Sequence, residues 1–253
     1  MNGITFYPAG SSPALTYALQ RLKELGCNVA ETPLEAVTHL LLPVPSFDSD
    51  GKIRGGGDLQ QVLTALPRTV TVVGGNLRHP ALEGYATIDL LQDAQYLSQN
   101  AAITADCAVK IARNRLPVVL AGCPVLILGW GRIGKCLAQM LKAAGAEVAV
   151  AARKEADIAM LQALGYRSEQ IGNLRYGLMR YRLIFNTAPA MVLSEKQVRH
   201  CRDDCVKIEL ASCDGIAGSD VIIARGLPGK EAPESSGLLI AKTVIRLTSG
   251  REF

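Results

Sequence analysis

The stretch Val125-Leu-Ile-Leu-Gly129-Trp-Gly131-Arg-Ile-Gly134 decides the reading of this chain. Four apolar residues run into Gly-x-Gly-x-x-Gly, and a helical pattern follows at once: Ile133, Leu137, Met140, Leu141 and Ala144 recur on one face. Gly145 stands just past that pattern, as a left-handed C-cap would. Each glycine has a physical task in such a turn. Gly129 permits the tight bend, Gly131 lets the backbone approach a pyrophosphate, and Gly134 lets the helix pack closely on the strand. The helix N-terminus then offers free N–H groups to the anion. Strand, motif and helix stand in the order a dinucleotide site requires, so Gly129, Trp130, Gly131, Arg132, Ile133 and Gly134 are expected to bind a nicotinamide dinucleotide.

The next apolar strand, residues 147–152, should end in a carboxylate for the ribose 2′-hydroxyl if the cofactor were NAD. It ends instead in Ala151-Ala152-Arg153-Lys154. A guanidinium there pairs with a 2′-phosphate, so Arg153 and Lys154 point to NADP(H). Further along, Asn186-Thr187-Ala188-Pro189 follows the apolar run 183–185, and Ala211-Ser212 follows the run 206–210. Open α/β sheets place ligands at the carboxyl ends of their strands, so both turns are expected to line the cofactor site.

Apolar runs at 4–7, 40–42, 70–73, 125–128, 148–151, 183–185, 206–210 and 221–223 alternate with helical patterns, which implies an α/β protein with mostly parallel sheets. Asp58 with Gln61 and Ser194 with Gln197 have capping-box spacing and predict two helix starts. The chain has 253 residues, which at roughly 150 per domain allows one to two domains. We expect an N-terminal lobe over 1–100 and a connecting helix and linker over 101–121. A nucleotide-binding Rossmann domain should follow over 122–232, and a C-terminal helix over 233–253 should return to the first lobe. The active cleft is then expected where the lobes meet. Residues 226–233, GLPGKEAP, read as a loop, with the last helix from about 235 to 248.

Composition excludes several classes. A net charge of +4 is too small for a nucleic-acid footprint, and 5% aromatic residues leave little for base stacking. The uncharged apolar stretch 116–131 is short of the roughly 20 apolar residues of a membrane span. No positive charge precedes Arg21, so no secretory signal is expected. Seven scattered cysteines without a CxxC pair read as reduced thiols of a cytoplasmic protein. His200, Cys201 and Cys205 lack a fourth ligand, so no metal is expected. The catalytic acid or base is not legible. His39 precedes a strand, His200 falls in the helix starting at Ser194, and only His79 is placed to approach the cleft. In the first lobe, Ser46 of Pro43-Val44-Pro45-Ser46 and Gly74-Gly75-Asn76 follow strands and are candidates for the cleft wall. Arg54, beside Gly55-Gly56-Gly57, and Asp214 and Asp220 of the second lobe read more simply as turn residues.

With these motifs in place the chain resembles the dipicolinate synthase family, in its first, NADP-binding subunit. The likeness rests on VLILGWGRIGKCLAQMLKAAGAEVAVAARKEAD, LIFNTAPAMVL, IELAS and, most specifically, GLPGKEAPESSGLLIAKTV, which together cover roughly residues 100–247. The resemblance implies a flavodoxin-like first lobe and a Rossmann second lobe, as in formate/glycerate dehydrogenases. It implies NADP(H) as cofactor, oxidation of dihydrodipicolinate or a related small dicarboxylate, and a separate, flavoprotein-like second subunit of dipicolinate synthase as partner. Sporulation and dipicolinic acid biosynthesis are the setting it implies. Gly129, Gly131, Arg132, Gly134 and Arg153 would hold the cofactor, with Asn186, Thr187 and Pro189 near its ribose. Leu227, Pro228, Gly229 and Lys230 would flank the cleft, and Asn100 with Thr104 would occupy the hinge. The chain departs from the family at Arg225 and in the turn 213–218, both beside the expected substrate site. Arg225, Lys230, Arg54 and Arg78 are the cations available to a dicarboxylate. A homo-oligomer is also expected. Two other readings stand beside this one: a reductase of another small carboxylic acid, and a nucleotide-binding partner or sensor that has lost turnover.

Overall fold

The computed structural model describes residues 3–33 and 36–250. The chain divides into two compact units, Met1–Asn100 with Pro228–Phe253, and Ala101–Leu227. The first begins with β1 (Thr5–Pro8), α1 (Pro13–Glu24), β2 (Asn28–Val29), β3 (His39–Leu41), α2 (Leu59–Thr64), β4 (Thr71–Gly74) and β5 (Ala86–Asp89). All five strands are parallel, in the order β2-β1-β3-β4-β5, the flavodoxin-like doubly wound arrangement. Helix α3 (Ala94–Arg115) contains the division between the units. It starts earlier than the sequence pattern indicated, because the Asp93 carboxylate accepts a hydrogen bond from the Tyr96 N–H at 2.7 Å and caps it.

The second unit holds β6 (Pro124–Leu128), α4 (Arg132–Ala143), β7 (Glu147–Ala152), α5 (Glu155–Ala163), β8 (Arg167–Gln170), β9 (Leu183–Asn186), α6 (Glu195–Val198), β10 (Val206–Glu209) and β11 (Val221–Ile223). Its six parallel strands lie in the order β11-β10-β9-β6-β7-β8. Numbered from β6, this is the Rossmann order, and the winding reverses between β6 and β9. Those two strands are apolar throughout apart from Asn186, and Val125, Leu126, Ile127, Leu128, Leu183, Ile184 and Phe185 have no exposed surface. Strands buried on both faces read as continuous apolar runs, which is why they were visible in the sequence.

The chain then forms α7 (Leu227–Glu231) and α8 (Pro233–Ser249). The first replaces part of the loop expected at GLPGKEAP: Gly226 takes a left-handed φ of 67°, and Pro228 stands in a first turn where no backbone N–H is needed. Pro233 likewise starts α8 two residues ahead of the expected Ser235. Helix α8 crosses α1 within the first unit, where Gly237 lies against the backbone of Ala14 and Ala18.

A half-buried ion pair fastens α8 to the cap of α3: an Arg246 guanidinium nitrogen lies 2.6 Å from Asp93 Oδ1, with both side chains 18% exposed. Replacing Arg246 by Ala leaves that carboxylate sheltered without its cation. We expect Arg246→Ala to lower stability by about 2 kcal/mol, below the cost of breaking a fully buried pair because water reaches both groups. Urea unfolding checks it, and a change within a few tenths of a kcal/mol contradicts it.

Two cap expectations differ in outcome. Ser194 and Gln197 form the reciprocal capping box. Asp58 accepts from the Gln61 N–H at 2.9 Å, and that side chain-to-backbone bond is what starts α2. Helix α6 spans only four residues, so His200 lies beyond it in a turn, with its N–H on the Gln197 carbonyl. Among the described residues no helix is long and apolar enough to cross a membrane.

Candidate nucleotide site

The register of the second sheet lines up the carboxyl ends of its central strands. Leu128 pairs with Ala151 on one side and Asn186 on the other, and Asn186 pairs with Glu209. The turns that follow therefore emerge along one edge, with Gly129 and Thr187 on either side of the point where the winding reverses. The Thr187 hydroxyl donates to the Leu128 carbonyl at 3.0 Å and its N–H to the same oxygen at 2.9 Å, which ties the two turns together.

The three glycines differ in what surrounds them. Gly129 has φ 105°, and a Cβ there would stand 2.7 Å from Thr187 Oγ1. At Gly134 a Cβ would stand 2.3 Å from the Gly129 carbonyl oxygen, so helix and strand could not approach as they do. At Gly131 a Cβ would meet nothing within 4 Å. Two glycines are thus required by the protein's own packing. The third, the N-cap of α4, borders open space and makes no side-chain cap bond. A bare helix N-terminus beside open space is what a dinucleotide pyrophosphate needs, so the residues present fit the group.

Around this turn Trp130 and Ile133 are half-buried and Arg132 is exposed. The Trp130 ring meets Tyr166 edge-on at 5.8 Å between centroids, and Lys135 Nζ lies 5.7 Å from the indole centroid. Arg153 and Lys154, both exposed, follow β7. The first carboxylates beyond them, Glu155 and Asp157, stand in the first turn of α5, where they favour its dipole. Thr187 and Ala188 are half-buried, Pro189 and Ser212 are exposed, and Ala211 is buried.

Asn186 is placed differently from its expected contact with the ribose. It has no exposed surface, and its amide donates to both Glu209 carboxylate oxygens, at 2.8 and 3.0 Å. Its Oδ1 accepts from the Ala188 N–H at 3.1 Å. Its contribution is to shape the turn, and Glu209, which the sequence reading missed, is its partner. A buried acidic residue at a strand's carboxyl end was the available signal.

Arg225, named as a cation for a carboxylate substrate, is engaged within the second unit. Its Nε donates to the Ala211 carbonyl at 2.7 Å and its terminal nitrogen to Asp214 at 2.6 Å, so it clamps the turn after β10. Asp220 pairs with the buried Lys207 at 2.7 Å. Cys201 and Cys205 pack in the apolar core of this unit. A hollow of about 550 Å³, lined by residues such as Glu147, Arg167, Arg180 and Tyr181, lies at the opposite, amino edge of the sheet and not at the nucleotide turn.

In the first unit Ser46 is fully buried, donating to the Pro43 carbonyl at 2.9 Å and accepting from the Gly75 N–H at 2.9 Å. It joins the two strand-exit turns and presents no surface to a substrate. Arg54 Nε donates to the Phe47 carbonyl at 2.9 Å, while Arg78 and Lys230 are exposed. His79 caps a short 3₁₀ turn, its Nδ1 accepting from the Ala81 N–H at 3.1 Å. His39 is the first residue of β3, and burial holds its imidazole below the ordinary value. On α3, Thr104 is buried and Asn100 half-buried. Within 227–230, Leu227 and Pro228 are buried and Gly229 is half-buried.

No family model matches the chain. In sequence it is similar to the first subunit of dipicolinate synthase from Bacillus subtilis (strain 168), with 25% identity over 240 residues, 87% of this chain and 81% of that protein. In fold it is similar to the crystal structure of the corresponding dipicolinate synthase subunit from Bacillus halodurans, with a TM-score of 0.86, 21% identity and 98% of each chain covered. A transhydrogenase from Sinorhizobium meliloti shares the fold with a TM-score of 0.73 at 13% identity, over 96% of this chain and 92% of that one.

Proposed function

We propose that this chain is an NADP(H)-dependent oxidoreductase of the dipicolinate synthase type, acting as the nucleotide-binding subunit. It would oxidise dihydrodipicolinate or a related small dicarboxylate, together with a second subunit. The observation that carries the reading is the contrast among the three glycines: a Cβ at Gly129 or Gly134 meets the protein, and one at Gly131 meets only open space at the winding reversal. The sequence similarity to one subunit of a dipicolinate synthase supports the substrate class and the need for a partner.

Each part of the chain then has a role. The α4 N-terminus and Gly131 receive the pyrophosphate, Arg153 and Lys154 face the 2′-phosphate, and Thr187, Ala188, Pro189, Ala211 and Ser212 border the nicotinamide half. Bound NADP⁺ would supply the acceptor for hydride, and the one proton lost with it on aromatisation would pass to solvent. The protein's task is orientation and neutralisation of the carboxylates. Lys230 and Arg78 are the exposed cations proposed for the latter, with Asn100, Thr104 and residues 227–229 as neighbours of the substrate.

The test is NADPH formation from dihydrodipicolinate by the purified chain, alone and with its second subunit. Turnover in either condition supports the enzyme. Nucleotide binding without turnover in both supports the partner or sensor reading, which one observation favours: His79 spends Nδ1 on the Ala81 N–H.

Arg153→Ala should weaken NADP⁺ and NADPH about tenfold, or about 1.4 kcal/mol, and leave NADH unchanged. Trp130, the single tryptophan, reports the titration by fluorescence. Equal loss for both nucleotide types contradicts the 2′-phosphate assignment.

A further inference from the structure

Glu209 is the last residue of β10 and has no exposed surface. Its carboxylate receives four hydrogen bonds. Two come from the Asn186 amide, one from the Ala211 N–H to Oε1 at 2.9 Å and one from the Gly215 N–H to Oε2 at 2.8 Å. Every partner is an N–H donor, the kind of group a carboxylate oxygen accepts from. No cation pairs with it among the described residues. The Arg225 guanidinium is spent on Ala211 and Asp214, and the Lys207 ammonium on Asp220 and the Cys205 carbonyl.

A buried, unpaired charge is a costly way to anchor a turn. What the charge adds is a field at the carboxyl edge of β9 and β10, the half of a Rossmann sheet that takes the nicotinamide end of a dinucleotide. The oxidised ring is cationic and the reduced ring neutral, and in a poorly screened interior that difference is felt across several ångströms.

We propose that Glu209 is an electrostatic positioning residue that makes this site favour the oxidised over the reduced cofactor. The inference rests on the nucleotide reading above. It sets a direction for the site: the form that accepts hydride is held, and the form that carries it is released. The Asn186 amide does the geometric work alongside, since it also binds both polar atoms of the Ala188 backbone and so fixes the turn after β9.

Calorimetric titration with NADP⁺ and NADPH tests it. The wild-type protein should bind NADP⁺ about tenfold more tightly than NADPH. Glu209→Gln should remove that preference, shifting the affinity ratio about tenfold. Glu209→Asp, which keeps the charge on a shorter stem, should weaken both forms yet retain their order. Equal weakening of both forms in Glu209→Gln, with the ratio unchanged, overturns the inference while leaving the nucleotide reading intact. Should the Gln variant fail to fold by circular dichroism, the wild-type ratio decides, because a preference for NADPH overturns the proposal by itself. Absence of binding of either form to the wild type overturns the nucleotide reading and this inference with it.

Discussion

Gly131→Asp is expected to fold at least as stably as the wild type and to lose nucleotide affinity by more than a hundredfold. The position has φ −79° and ψ −169°, open to any residue, and a Cβ meets nothing within 4 Å. Aspartate is moreover a better N-cap than glycine, by a few tenths of a kcal/mol, because its carboxylate accepts the orphan N–H groups of the first turn. Those same groups are the proposed pyrophosphate ligands, and the new anion would occupy them. Repulsion between neighbouring unit charges of about 4 kcal/mol at an effective dielectric of 20 far exceeds the roughly 2.7 kcal/mol that a hundredfold loss requires. Thermal unfolding and Trp130 fluorescence titration read the two halves separately. Unchanged affinity would show that the turn does not hold the pyrophosphate. A large fall in stability would show that the open space at Gly131 is not open.

Gly237→Ala is expected to destabilise the first unit by about 3 kcal/mol, and Gly237→Leu to prevent α8 from docking. Helix propensity alone predicts the opposite sign for alanine, a gain of roughly 1 kcal/mol in a helix interior. The crossing with α1 reverses it. A Cβ at this position would stand 2.5 Å from the Ala14 carbonyl oxygen and 2.5 Å from Tyr17 Cβ, and 2.9 Å from the Ala18 nitrogen. These are backbone and near-backbone atoms, which no rotamer change can move aside, so relief requires the helices to separate and their apolar faces to open. Leu15, Ala18, Leu22, Ile240, Ala241, Val244 and Ile245 are all buried, so little separation is tolerated. Urea unfolding of the full chain measures it, and a stability gain in Gly237→Ala would contradict the close crossing.

The strands found from sequence and those missed differ in burial. Strands β6 and β9 were legible because their residues are apolar and inaccessible. Strand β8 reads Arg-Ser-Glu-Gln and lies at the sheet edge, and β5 reads Ala-Thr-Ile-Asp at the edge of the other sheet. These two edge strands carry little apolar signal, unlike the apolar edge strand β11, so their identity comes from the partner strand and not from their own residues. Helix α1, which the sequence analysis did not mark, starts at Ser12 and Pro13, whose cap and N1 preferences act locally.

Residue order was enough to read the α/β class, the Gly-rich turn at 129–134 and the missing carboxylate after β7. These depend on short-range rules: periodicity, turn conformation and helix start chemistry, each contained within a few residues. The roles of the polar residues at the strand ends came from long-range contacts alone. Asn186, Ser46 and Arg225 were all read as reaching for ligands, and each is instead satisfied within its own unit, by Glu209, by the turns at Pro43 and Gly75, and by Ala211 with Asp214. Their partners lie 11 to 29 positions away in the chain, apart from the nearby Pro43. A hydrogen-bonding side chain satisfies whichever partner the fold brings within about 3 Å, and no local pattern of residues encodes which partner that is.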